Sequence, residues 1–134
     1  VITIFKNQVL GSAYAVGDPV YIENNLISLA CTAVVTVAAT IQWYIEFSDN
    51  PFETPTPLWF RELSEEVTTG GVVVNALAIR SFAANGGGTL GAGTHLMSVQ
   101  LTRVAPFYRI SARVSAGAAS LRGQATTGQI AQAP

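Results

Sequence analysis

The groups in this chain that could do chemistry are few: one histidine, one cysteine and a handful of carboxylates. His95 could serve a Ser-His-acid triad with Ser98 or Ser111 as nucleophile, because a serine hydroxyl needs an imidazole to take its proton. No serine stands in a Gly-x-Ser-x-Gly setting, however. The plainer state for a histidine at the entry from a glycine-rich loop into a strand is a solvent or backbone partner. Glu46 and Glu62 could flank a glycosidic bond, as paired carboxylates do at separations of about 5–10 Å. The plainer role for them, and for Glu65 and Glu66, is an acidic edge paired with Arg61 or a neighbouring arginine. Asp49, Asn50 and Glu53 offer oxygen ligands to calcium, but not at the spacing of an EF-hand.

Cys31 lies in the apolar run Leu29-Ala30-Cys31-Thr32-Ala33 and reads as a small buried hydrophobe. A single histidine and a single cysteine cannot build the usual zinc constellations. The stretch Asn85-Gly86-Gly87-Gly88-Thr89-Leu90-Gly91-Ala92-Gly93 lacks the lysine of a phosphate-binding loop and leads into a strand. The expectation is therefore no enzyme, no cofactor, no metal and no small-molecule substrate.

The elements that would position these groups are strands. From Thr40 to Ser48, Ile41, Trp43, Ile45 and Phe47 alternate with Gln42, Tyr44, Glu46 and Ser48. That is the pattern of a half-buried antiparallel strand with one wet face. Asp49-Asn50-Pro51 stops it, and with Pro55 and Pro57 following Pro51 the stretch Phe52 to Leu58 is placed as a surface loop. Phe107–Ser115 alternates likewise, with Tyr108, Ile110, Ala112 and Val114 inward and Arg109, Ser111 and Arg113 outward.

Shorter strands are expected at Val1–Phe5, Pro19–Ile22, Leu26–Ala30, Val34–Ala38, Trp59–Leu63, Val72–Ile79, His95–Arg103 and within Ser120–Thr126. About eight short strands separated by Gly, Pro and Asn turns argue one all-β domain over residues 1–134, an antiparallel β-sandwich or jelly roll. At most one short helix is expected, with Glu62–Val67 or Ala76–Ala84 as the places for it. Both ends, including Gly123–Pro134 with Ile130 as its only large apolar anchor, read as flexible arms.

Charge sets the functional class. Only 11% of residues are charged while 49% are hydrophobic, and the net charge is −1. Soluble domains use charge at roughly 25% of positions. A near-neutral surface this sparsely charged favours association, which makes the chain a subunit of an assembly. Its six arginines and one lysine are scattered, so no basic track invites nucleic acid. The longest apolar-rich run, Leu26–Ala39, falls short of the ~20 residues of a membrane-spanning helix, and Val1–Leu10 does not match a signal peptide. Neither nucleic acid nor a membrane is expected as a partner.

The run Gln42-Trp43-Tyr44-Ile45-Glu46-Phe47-Ser48-Asp49-Asn50-Pro51, followed by Leu58-Trp59-Phe60-Arg61-Glu62, resembles a segment of small structural proteins of tailed-phage virions. The glycine loop, the His95 strand and the arginine-bearing Phe107–Val114 strand fit the same impression. The resemblance implies a capsid cement or decoration protein made in the host cytoplasm and placed on the capsid exterior. It implies a jelly-roll-like clamp, whose partners would be the major capsid protein and copies of itself. Asn85, Thr89, Leu90, Arg109, Arg113 and Ile130 are the residues expected at contacts. The alternative is a carbohydrate-binding or host-adhesion module of a tail fibre. There Tyr44, with Trp59 or Phe60, would stack on sugar.

Overall fold

The structure, a computed structural model, describes residues 2–22, 25–53, 55–67, 70–71, 73–82 and 89–128. Every regular element among them is a strand: β1 (Ile2–Leu10), β2 (Ala15–Val16), β3 (Val20–Tyr21), β4 (Leu26–Ser48), β5 (Phe60–Arg61), β6 (Leu63–Val67), β7 (Val73–Leu77), β8 (Arg80–Ser81), β9 (Gly93–Thr102) and β10 (Phe107–Gly128). All the pairings are antiparallel. The chain is all-β, in agreement with its period-two patterning and consistent with a sandwich. The strand order by itself does not establish a jelly roll.

The spine is the pairing of β4 with β10, from Ser48↔Phe107 at one end to Leu26↔Gly128 at the other. β1, β2 and β3 line the far side of β10, and β9, β8 and β5 line the far side of β4. A straight strand of 23 residues would run roughly 75 Å at about 3.3 Å per residue. Apart from the small β6–β7 pair, this is the one sheet among the described residues. Yet Ile27, Ile45 and Tyr108 on it are wholly buried. The sheet must therefore bend and cover its own inner face.

The bend is visible in the register. Between Ile41↔Val114 and Val35↔Ala119 the pairing shifts repeatedly, and β4 spends one residue more than β10. Thr36, Val37 and Ala38 are all exposed there, as are Ser115, Ala116 and Gly117 opposite them. Such bulges kink a ladder and sharpen its twist. Gly117 sits at φ +81. Across this point the inward set on β10 changes from even positions (Tyr108, Ile110, Ala112, Val114) to odd ones (Ala119, Leu121). One cluster then joins both halves, with Ile27, Leu29, Ile41, Ile45, Ile110 and Leu121 among its members.

Three expectations are corrected. Leu26–Ala30, Val34–Ala38 and Thr40–Ser48 are one strand rather than three, because the lapse in alternation at 36–38 is a bulge and not a turn. Leu63–Val67 is not a helical turn but a strand paired with Val73–Leu77, so cross-strand pairing overrides the local helix formers. The ends are not loose arms over their described lengths. β1 pairs with the last part of β10, with Ile2↔Ala125 and Leu10↔Ala119. Residues 129–134 and 83–88 lie outside the described residues, and Ile130 and Asn85 with them.

Candidate functional site

Outward-facing side chains at the Ser48–Phe107 end of the spine form rows of rings and guanidinium groups. Ser111 pairs with Tyr44 in register and Arg109 with Glu46. Two aromatic rings, Tyr14 and Tyr44, meet edge-on with centroids 4.7 Å apart. Arg61 lies 3.8 Å above the Tyr44 ring, Arg113 4.9 Å above Tyr14 and Arg109 4.2 Å above Trp59. A cation over an aromatic face contributes about 0.5–2 kcal/mol according to how far it is desolvated.

Each guanidinium is also hydrogen-bonded. Arg109 Nε donates to Glu46 Oε1 at 3.0 Å, and Arg113 donates twice to Gln42 Oε1 at 3.0 and 2.8 Å. Arg61 Nε donates to the Ala78 carbonyl at 3.3 Å. Beside them Arg80 grips Glu62 with Nε and Nη2 at 2.8 and 2.7 Å. That bidentate hydrogen bond raises the Arg80 pKa further. Ser111 is fully buried although it faces outward.

This arrangement stiffens the face rather than opening a site. Replacing Tyr44 with alanine removes the platform under Arg61 and the edge contact of Tyr14, and should cost about 2–3 kcal/mol. Glu46→Gln should cost less than about 1 kcal/mol, since the Arg109–Glu46 pair is partly solvated and Arg109 keeps Trp59. Thermal unfolding of the two variants checks the ranking.

The candidate catalytic groups are not brought together. His95 Nε2 donates to the Gly91 carbonyl at 2.7 Å. Ser98 is three residues along β9 and so on its opposite face. Ser111 pairs near Tyr44 whereas His95 pairs with Ala33, far along β4. Glu46 and Glu62 are each tied to an arginine. In the turn after β4, Asn50 Oδ1 accepts from the Phe52 amide and Ser48 Oγ from the Asn50 amide, so these oxygens close the turn. Among the described residues no three of His, Cys, Asp and Glu gather as metal ligands. Nor is any helix there long and apolar enough to cross a membrane.

Of the expected contact residues, Arg109 and Arg113 face one side as the alternation predicts, but both are engaged within the chain. Leu90 forms a two-bond bridge with Ala39 (2.9 and 2.7 Å) and packs on the core. Thr89 is exposed, with its hydroxyl 3.5 Å from that of Thr40.

Sequence reasoning missed the surface at the other end of the spine. There small residues of β4, Ser28 and Ala30, floor a recess of about 490 Å³ walled by Ser98 and Gln100 of β9 and by Gln124 of β10. A second recess of about 380 Å³ continues it past Thr32, Leu96 and Arg122. The run of small residues on β4 was legible; that longer side chains flank it on both sides depends on register.

Set against known protein families, curated proteins and solved structures, the chain matches none.

Proposed function

We propose that this chain is a structural subunit of a virion, a cement or decoration protein that binds the outer face of a phage capsid shell through the shell protein and copies of itself. The observation that supports this reading is the exposed apolar surface on a chain with so little charge. Val9, Phe52, Leu96 and Val104 are each about three-quarters exposed (75%, 75%, 79% and 74%). Leu63 and Leu77 face each other across β6 and β7, both more than half exposed. Phe60 and Ile79 follow on the same two segments and are exposed as well. Apolar surface of this extent marks contact with other proteins, and neutral surface is what large permanent interfaces bury.

Sugar binding is the weaker reading. A stacking platform needs a free aromatic face, and the faces of Tyr44 and Trp59 lie under guanidinium groups. Of the exposed rings Tyr21, Phe52 and Phe60, the first two are tilted and edge-on to Phe107 rather than coplanar.

The test is direct. Purified chain is added to empty shells that lack it, and shell melting and co-sedimentation are measured. Saturable binding with a higher shell melting temperature is expected. Failure to sediment with shells at any ratio would overturn the proposal.

A further inference from the structure

We infer that the outer edge of β9 pairs with the β9 edge of a second copy of this chain, joining two sheets into one across a twofold axis. The inference rests on the reading that the chain works by contact with other chains, and it names one of those contacts.

A strand at a sheet edge presents a row of unused amide and carbonyl groups, a template for another strand. Proteins that stay apart protect such edges with charge, proline, bulges or short length. The two long edges of this sheet differ sharply in that respect. β1 carries Lys6, holds Asn7 at φ +48, and breaks register with β10 twice. β9 carries none of these devices. Its ten residues, Gly-Thr-His-Leu-Met-Ser-Val-Gln-Leu-Thr, include no Lys, Arg, Asp, Glu or Pro. They pair with β4 in unbroken register from Val35↔Gly93 to Leu26↔Thr102. Among the described residues no strand pairs with the far edge of β9.

The occupant follows from symmetry and charge. A twofold axis normal to a sheet pairs a strand with itself antiparallel and keeps outer faces together, so even residues of β9 must meet even residues. With the axis at Ser98, Leu96 meets Gln100 of the second copy and Thr94 meets its Thr102. Pairing from 94 to 102 adds roughly eight to ten main-chain hydrogen bonds. No like charges meet in this or any neighbouring register, because the strand has none. The same operation at β1 would bring Lys6 toward its own copy. Leu96, the most exposed large apolar side chain among the described residues, would lie within the joined ladder. The recess beside Ser98 and Gln100 would run on from one copy into the next.

The full chain is studied by sedimentation velocity over a range of concentration, beside the double variant Ser98→Lys/Gln100→Lys and the single variants Ser98→Cys and Thr94→Cys. Wild type should form a dimer. The double lysine variant should associate at least about a hundredfold more weakly, since like charges would face across the axis. Both side chains are exposed, so its circular dichroism and melting should match wild type. Ser98→Cys should give a disulfide-linked dimer under mild oxidation, because self-paired residues bring their Cα atoms to about 4.5–5.5 Å. Thr94→Cys should not.

A wild-type monomer at all concentrations, or a dimer indifferent to the lysines and without a Ser98→Cys cross-link, overturns the inference. Shell binding by the lysine variant separates the two readings. If it is retained, the subunit function stands without the β9 pairing.

Discussion

Gly117→Ala should destabilise this protein by at least about 3–4 kcal/mol, a large part of the 5–15 kcal/mol that holds a domain folded. Two causes add. The residue sits at φ +81, where a Cβ meets its own backbone at a cost of about 1–2 kcal/mol. That Cβ would also overlap the Ala38 carbonyl oxygen and stand 2.7 Å from the Ala39 Cα. These are backbone atoms of the opposite strand, so no rotamer change relieves the clash and β4 must move. The movement would fall at the bend that lets the sheet cover itself.

Two other glycines calibrate the result. At Gly123 the nearest atom to a Cβ is Cys31 Sγ at 3.3 Å, and at Gly11 nothing lies within 4 Å. Gly123→Ala should cost no more than about 1–2 kcal/mol and Gly11→Ala about nothing. Urea unfolding of the three variants checks the order; a Gly117→Ala protein as stable as Gly11→Ala would refute the packing described at the bend.

Stability should also collapse in alkali. Burial pushes the Cys31 thiol from 9.0 up to about 11 and the Tyr108 phenol from 10.0 up to about 12. Both groups are neutral when protonated, so the folded state holds these protons more tightly than the unfolded chain. Their contribution is therefore complete below about pH 9. It is lost as pH rises through about 11 for Cys31 and about 12 for Tyr108. A two-unit shift corresponds to about 2–3 kcal/mol for each group.

Tyr108→Phe should leave neutral stability nearly unchanged, because among the described residues the Tyr108 hydroxyl has no hydrogen-bond partner. It should remove the upper part of the alkaline loss, and Cys31→Ala the lower part. Urea midpoints measured across the alkaline range test this. A loss of equal size and position in the double variant would show that neither group causes it.

What could be read in advance followed from alternation. The inward residues Ile41, Trp43, Ile45 and Phe47, and Tyr108, Ile110, Ala112 and Val114, are buried as their parity requires. Parity fails at the bend, where the geometry is irregular, and at Ser48 and Ser111, which stand on the outward parity yet are buried. Gly117 lies in what reads as a small-residue break between strands, and nothing local tells a glycine that ends a strand from one that bends it. The shared outward face of Arg109 and Arg113 was likewise legible within one strand. Their ring partners Trp59 and Tyr14 lie on segments 50 and 99 positions away, brought near by pairings that no local pattern encodes. The lack of charge in Gly93–Thr102 is plain in the sequence, but its meaning depends on β9 being an outermost strand.

The order of pairing has a consequence for synthesis. Among the described residues, β1, β2 and β3 hydrogen-bond to no strand but β10, which is synthesised after every other strand of this sheet. Closing loops of that length is slow, so β1, β2 and β3 must wait, unpaired, until β10 has been made. Meanwhile β4 can recruit β5, β8 and β9 on one flank only. The nascent half-sheet would then carry an open, apolar seam along β4 at the stage when it is most exposed to other chains. Refolding yield should consequently fall steeply with protein concentration, and arrival of β10 is the step that closes the seam.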